Sequence, residues 1–327
     1  VDKAVTAGNN GSVLILTGTN LGIPEALVNS NDVNINANIT STGTVEVIAV
    51  NDITTNGNGY VGGNSVGFIT LDGAIGTADN PILTQATILG ANAAEVSSGN
   101  PANIYITEQA AGGDLEIGSA TNLIGVPATI DGVNTTGTTN HDGSIVVITE
   151  NGNLTVTQSV DTDETGGIGT ISLTAGGLYN TLTINSGGHN MVTNGQTITL
   201  TADHMNFVSG SIGGVNDRII LQQYTPEVSV DFVANGTPDV EGVLRLDDLD
   251  LNALTNTGGT TVIGRNDGGA ITISDDTTVS DDSAVLHLLS ADSVTGAGDI
   301  IANDLAVSAG GEVNIQTQVT NVAVSTT

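Results

Sequence analysis

The sequence predicts an all-β chain, a β-solenoid whose short coils hold roughly 20 to 25 residues each. Three observations predict it. Gly169-Thr-Ile-Ser-Leu-Thr-Ala-Gly returns 27 residues later as Gln196-Thr-Ile-Thr-Leu-Thr-Ala-Asp, so Ile171 and Ile198, Leu173 and Leu200, and Ala175 and Ala202 hold equivalent places. Gly-x-apolar-x-apolar units recur at Gly113, Gly143, Gly152, Gly169, Gly269 and Gly311. Aromatic residues make up only 2% of the chain, with no Trp, so a broad globular core built on aromatic rings is excluded. Each short run alternates apolar and small polar residues before a Gly or Asn break, which is a strand followed by a corner. No single run can bury its apolar face alone, so neighbouring copies must cover it.

In order along the chain, strands are expected near Val13–Leu16, Val33–Ile35, Val45–Ile48 and Phe68–Leu71, with Pro81–Leu89 and Ile104–Ile106 continuing the series. Residues 1–112 read as less regular coils. The small, polar stretch Ala91–Asn103 reads as a loop leaving its coil. From Gly113 the pattern tightens, and residues 113–327 read as regular coils. Gly at each corner allows a positive φ, and the alternation that follows sends one side chain inward and one outward. Leu182-Thr-Ile184 is a short run closed by Ser186-Gly-Gly. Ile219-Ile-Leu-Gln-Gln-Tyr is a more continuously apolar strand. An insertion decorates the solenoid near 226–254: Pro226–Asp239 forms a corner excursion, and Asp247–Leu254 carries one short helical turn. Coils resume at Thr261-Val-Ile and run to Val322-Ala-Val. The chain begins without Met and stops in a strand without a polar cap, so the sequence is expected to be a segment of something longer.

Charge excludes several partners. The chain has 4 Lys plus Arg against 35 Asp plus Glu, a formal charge of -31. A phosphate backbone would be repelled, so no nucleic-acid partner is expected. No run approaches the length of a membrane span, so no membrane insertion is expected either. The absence of Cys excludes disulfides and thiolate chemistry and suits an extracellular bacterial protein stabilised by repetition.

Gly169–Gly177, Gln196–Asp203, Val262-Ile-Gly-Arg-Asn-Asp-Gly-Gly-Ala-Ile-Thr-Ile273 and Gly310–Thr317 resemble the β-strand repeats of filamentous-haemagglutinin-like large exoproteins and adhesins. The resemblance covers about 113–327 well and 1–112 loosely. It implies a right-handed parallel β-helix on or outside a bacterial cell, acting in adhesion, biofilm or filament formation. The Asn-Pro-Asn signature of that family's secretion domain is not found; Asn80-Pro and Asn100-Pro stand in other contexts. This stretch therefore reads as an internal segment.

His141, His189, His204 and His287 have no partner at zinc-ligand spacing and read as surface histidines. Arg218, Arg245 and Arg265 have spacings that would stack them on successive coils, each beside an acid: Asp217, Asp247 and Asp267. They read as outward ion pairs, each worth little. The alternative is a polysaccharide lyase or glycoside hydrolase on the same fold, with these arginines as the basic residues. The densest acidic clusters are Asp161-Thr-Asp163-Glu164, Asp247-Asp248-Leu-Asp250, Asp275-Asp276 and Asp281-Asp282. The first and last lie in turn-like contexts whose oxygens suit Ca²⁺, yet none matches a calcium-loop motif, and solvated corners are the expectation. No residue is assigned a catalytic, cofactor-binding or metal-binding role. The expected function is structural and adhesive: a stiff extracellular stalk or filament, not an enzyme. Its partners would be its own copies or neighbouring segments and cell-surface glycans or proteins, met through loops at 91–103, 131–142 and 226–240.

Overall fold

A computed structural model describes residues 4–7, 11–17, 32–95, 101–124, 129–137, 143–162, 168–279 and 285–326. Strands make up 58% and helix 2% of it, and the strands pair in long parallel sheets. The all-β expectation holds. The chain falls into two compact units, Val1–Ile171 and Ser172–Thr327.

In the first unit, Val13–Leu16, Thr44–Ala49, Tyr60–Thr70 and Ile82–Ala94 pair in sequence, all parallel. Their register aligns Val13, Val45, Val66 and Leu89 in one column and Ile15, Val47, Phe68 and Ala91 in another. Val45, Val47, Val66, Phe68, Leu89 and Ala91 are fully buried. Ile82–Ala94 continues to Val133–Thr136, which pairs Val133 with Ala91 and Thr135 with Ala93. The expected loop at Ala91–Asn103 is thus corrected: residues 91–94 are strand. Ala91 and Ala93 alternate inward exactly as larger aliphatics do, and their small size disguised the period. Val133–Thr136 likewise removes part of the expected loop at 131–142, and residues 138–142 lie outside the described residues.

The second unit repeats the arrangement. Thr197–Thr201, Arg218–Gln222, Thr260–Gly264, Val285–Ser290, Asp304–Ala309 and Asn321–Thr326 pair in that order, parallel and without register shifts. One column runs Ile198, Ile219, Thr261, Leu286, Leu305, Val322, and its neighbour runs Leu200, Leu221, Ile263, Leu288, Val307, Val324. Each fully buried aliphatic side chain contributes about 1.5–3 kcal/mol. A second ladder aligns Leu244, Val230, Ile271, Val294 and Val313. Ser229–Phe232 belongs to this ladder, so Pro226–Asp239 is not one excursion. Val230 and Phe232 are buried members of the sheet, flanked by a turn at Pro226 and Glu227 and by the turns after Val233.

The helical turn expected at Asp247–Leu254 is present as Asp248–Asn252. Asp247 caps it, accepting from the Leu249 and Asp250 N–H groups, while the Asp250 side chain accepts from Asp247 N–H in a reciprocal capping box. Ser186-Gly-Gly does not end its strand. The strand runs Thr181–Val192, and its pairing with His204–Ile212 slips between Ile184 and Asn190, so the glycines form an irregularity within it.

Most of the corner glycines do not use the positive φ open to them. Of the six Gly-x-apolar-x-apolar units, only Gly113 has a positive φ, 81°. Gly143 and Gly152 serve another need: a Cβ there would lie 2.2 Å from the Ala102 backbone and 2.0 Å from the Gly113 carbonyl oxygen. Backbone lies directly over backbone at these corners, and only hydrogen fits between.

Candidate ligand-binding cleft

A cleft of about 550 Å³ opens in the second unit. One wall is the strand His204–Ile212, whose alternation leaves Asn206 and Val208 exposed while burying Met205 and Phe207. The opposite wall is the capped helical turn, which presents Leu249, 61% exposed, and Asn252. Arg245 lies on Val243–Leu246, and Pro238 and Asp239 follow the Gly236 turn and close the rim.

Three carboxylates and one guanidinium line the cleft. Two of the carboxylates are engaged by the backbone. Asp250 accepts from Phe207 N–H at 2.8 Å and from Asp247 N–H at 3.1 Å. Burial pushes its pKa up to about 6, with the Asp247 and Asp239 charges adding to the rise. Asp247 accepts from Leu249, Asp250 and Gly236 N–H groups. Asp239 is different: about half exposed, its carboxylate stands 3.7 Å from His204 Nδ1, longer than a hydrogen bond. That nitrogen is buried and has no hydrogen-bond partner, and the same holds for Arg245 Nε. Arg245 donates through Nη1 to the Pro238 carbonyl. Among the described residues it has no carboxylate within 4.0 Å.

The predicted site residues scatter. His204 is buried beside the cleft, against the expectation of a surface histidine, because it opens a strand beside the Tyr179 ring, 6.4 Å away edge-on. His189 is exposed, and His287 is half-buried, its Nε2 3.0 Å from Ser308 Oγ. Burial and then Arg218 lower the His287 pKa. His141, Asp163, Glu164, Asp281 and Asp282 lie outside the described residues. The three arginines do not stack. Arg218 aligns with Thr197 and Thr260 in one ladder, Arg245 with Asp231 in the other, and Arg265 follows a strand end. Only Arg265 forms the expected pair, with Asp267, whose pKa it lowers; it also donates to the Gln223 and Tyr224 carbonyls. Among the described residues no three metal-binding side chains converge, and no helix is long and apolar enough to cross a membrane.

The sequence does not show the buried acids as such: Asp217 reads there as an outward ion-pair partner of Arg218, and Asp203 and Glu108 go unmarked. Asp217, fully buried, accepts from the Thr193, Gly195 and Gly214 N–H groups. Asp203, also fully buried, accepts from Tyr179 N–H, Thr225 N–H and Thr225 Oγ1. Glu108 accepts from Ala86 N–H and Thr84 Oγ1, and burial pushes its pKa up to about 7. Its signal was present: in Ile104-Tyr-Ile-Thr-Glu108, strict alternation puts Glu108 on the inward face. Elsewhere Asp52, Asn103, Asp114 and Asp276 each accept a backbone N–H of a neighbouring turn 22 to 41 residues along the chain. Much of the acidity serves as corner acceptors. Scans against protein-family models, curated proteins and solved structures found no match to this chain.

Proposed function

We propose that each unit winds as a right-handed parallel β-helix and that the chain is a structural, adhesive segment of a secreted bacterial surface protein. The observation that carries this reading is the run of in-register parallel ladders over aliphatic columns. Continuous backbone hydrogen bonds along such ladders over a largely aliphatic interior resist bending, which suits a load-bearing part. The formal net charge of -31 keeps copies apart in water until cations bridge them. The cleft favours binding over hydrolysis. Glycoside hydrolysis needs two carboxyl groups free to move protons or attack, and Asp247 and Asp250 spend theirs on backbone N–H groups.

Antibody labelling of intact source cells, with deletion of the gene, tests the reading. Labelling without permeabilisation and reduced attachment to surfaces or neighbouring cells are expected. Labelling only after permeabilisation contradicts it. Cleavage of a polysaccharide that is abolished by Arg245→Ala would replace it with the enzyme reading.

A further inference from the structure

We propose that the cleft between His204–Ile212 and the Asp248–Asn252 turn binds a neutral saccharide, gripped between the Asp239 carboxylate and the Arg245 guanidinium. The inference rests on the attachment reading and supplies its ligand class. One buried polar atom without a partner, Arg245 Nε, belongs to a residue lining the cleft, and a second, His204 Nδ1, stands 3.7 Å behind the lining carboxylate of Asp239. Buried polar groups are ordinarily satisfied, so two such deficits at one place mark a site completed by something else.

The chemistry of the unspent groups selects the ligand. Arg245 offers donors and Asp239 offers acceptors, and a hydroxyl group is the simplest ligand atom that accepts from one and donates to the other. Three carboxylates against one guanidinium disfavour an anion, which removes polyuronates, phosphates and acidic peptides. The exposed side chains of Leu249, 61%, and Val208, 58%, give apolar surface on which the C–H face of a sugar ring can lie. Asn206 and Asn252, both exposed, add amides of mixed polarity. A volume of about 550 Å³ is within the range of small-molecule sites. The 3.7 Å gap between Asp239 and His204 Nδ1 gives binding a way to tighten the rim. A small inward rotation of Asp239 over a bound sugar closes it to a hydrogen bond.

The whole chain is titrated with cellotetraose, xylotetraose and maltotetraose, followed by heteronuclear NMR, with trigalacturonate and lysine as anionic and zwitterionic controls. At least one neutral probe is expected to bind saturably, shifting the Asn206 and Asn252 signals. Asp239→Asn and Arg245→Lys should each weaken it about tenfold, the effect of losing one charged hydrogen bond. Asp239→Asn keeps the test sound if Arg245→Lys loosens the rim, because the Asp239 side chain is half exposed. Binding of none of the neutral probes, binding of the controls alone, or unchanged affinity in both variants overturns the proposal. Surface labelling without saccharide binding would sink the cleft alone. Saccharide binding by a protein confined inside the cell would sink the attachment reading alone.

Discussion

Stability is expected to fall as pH rises from about 5 to about 8, the reverse of the usual behaviour of salt-bridged carboxylates. Glu108 has its pKa pushed up from 4.5 to about 7 by burial, and Asp250 from 3.8 to about 6. A carboxyl whose folded pKa is raised binds its proton more tightly in the native chain than in the unfolded one. Its favourable contribution is complete below the unfolded pKa and is lost as pH climbs through the folded value. At about 1.4 kcal/mol per pKa unit, Glu108 alone removes roughly 2–3 kcal/mol between those limits. Glu108→Gln keeps an acceptor for Ala86 N–H, and the Thr84 hydroxyl can turn to accept from the new amide. The variant should therefore be more stable than the parent near pH 8 and show a flatter profile. Thermal melts across the pH range check this. A parent whose Tm rises between pH 5 and pH 8 would show that other groups dominate.

Asp217→Ala is expected to cost about 2–4 kcal/mol, because three backbone N–H groups, one buried and two part-buried, lose their acceptor at once. Thr193, Gly195 and Gly214 donate to this one carboxylate at 3.3, 2.8 and 2.8 Å, and Asp217 itself is fully buried. Asp217→Asn should be intermediate, since the amide retains one acceptor but turns an N–H toward the remaining donors. Urea unfolding measures both. A loss below about 1 kcal/mol for Asp217→Ala would mean that this corner is not the fastener its hydrogen bonds describe.

The strands were legible wherever period two was written in Ile, Leu and Val. Both copies of the repeat that first showed the pattern are strands, Ile171–Ala175 and Thr197–Thr201, with Ile171, Leu173, Ile198 and Leu200 inside. Legibility failed where the inward residue was small, as at Ala91 and Ala93, or where glycines interrupted a strand without ending it, as at Gly187 and Gly188. The antiparallel hairpin of Ser119–Thr121 and Thr129–Asp131 was not foreseen either. Ile130 and Ala120 lie over Gly67 and Gly90, whose missing side chains make the room. A glycine that accommodates another segment looks in sequence like any other glycine. The cleft was the least legible part. Arg245 and the Asp247–Asp250 cluster were singled out, but His204 and Asp239 join them only through pairing of distant strands and the Gly236 turn. No local spacing encodes that meeting.

In-register parallel stacking is the central claim, and the absence of cysteine allows a clean test. Ala306 and Ala323 are paired across adjacent parallel strands, on the face opposite the buried Leu305 and Val307. Partners in such a pair are about 4.8 Å apart, within reach of a disulfide. The double variant Ala306→Cys, Ala323→Cys should cross-link fully under mild oxidation. The double variant Ala306→Cys, Val324→Cys, one residue out of register and on the opposite face, should remain reduced. Equal cross-linking of the two, or of the offset pair alone, would contradict the ladder on which the β-helix reading stands.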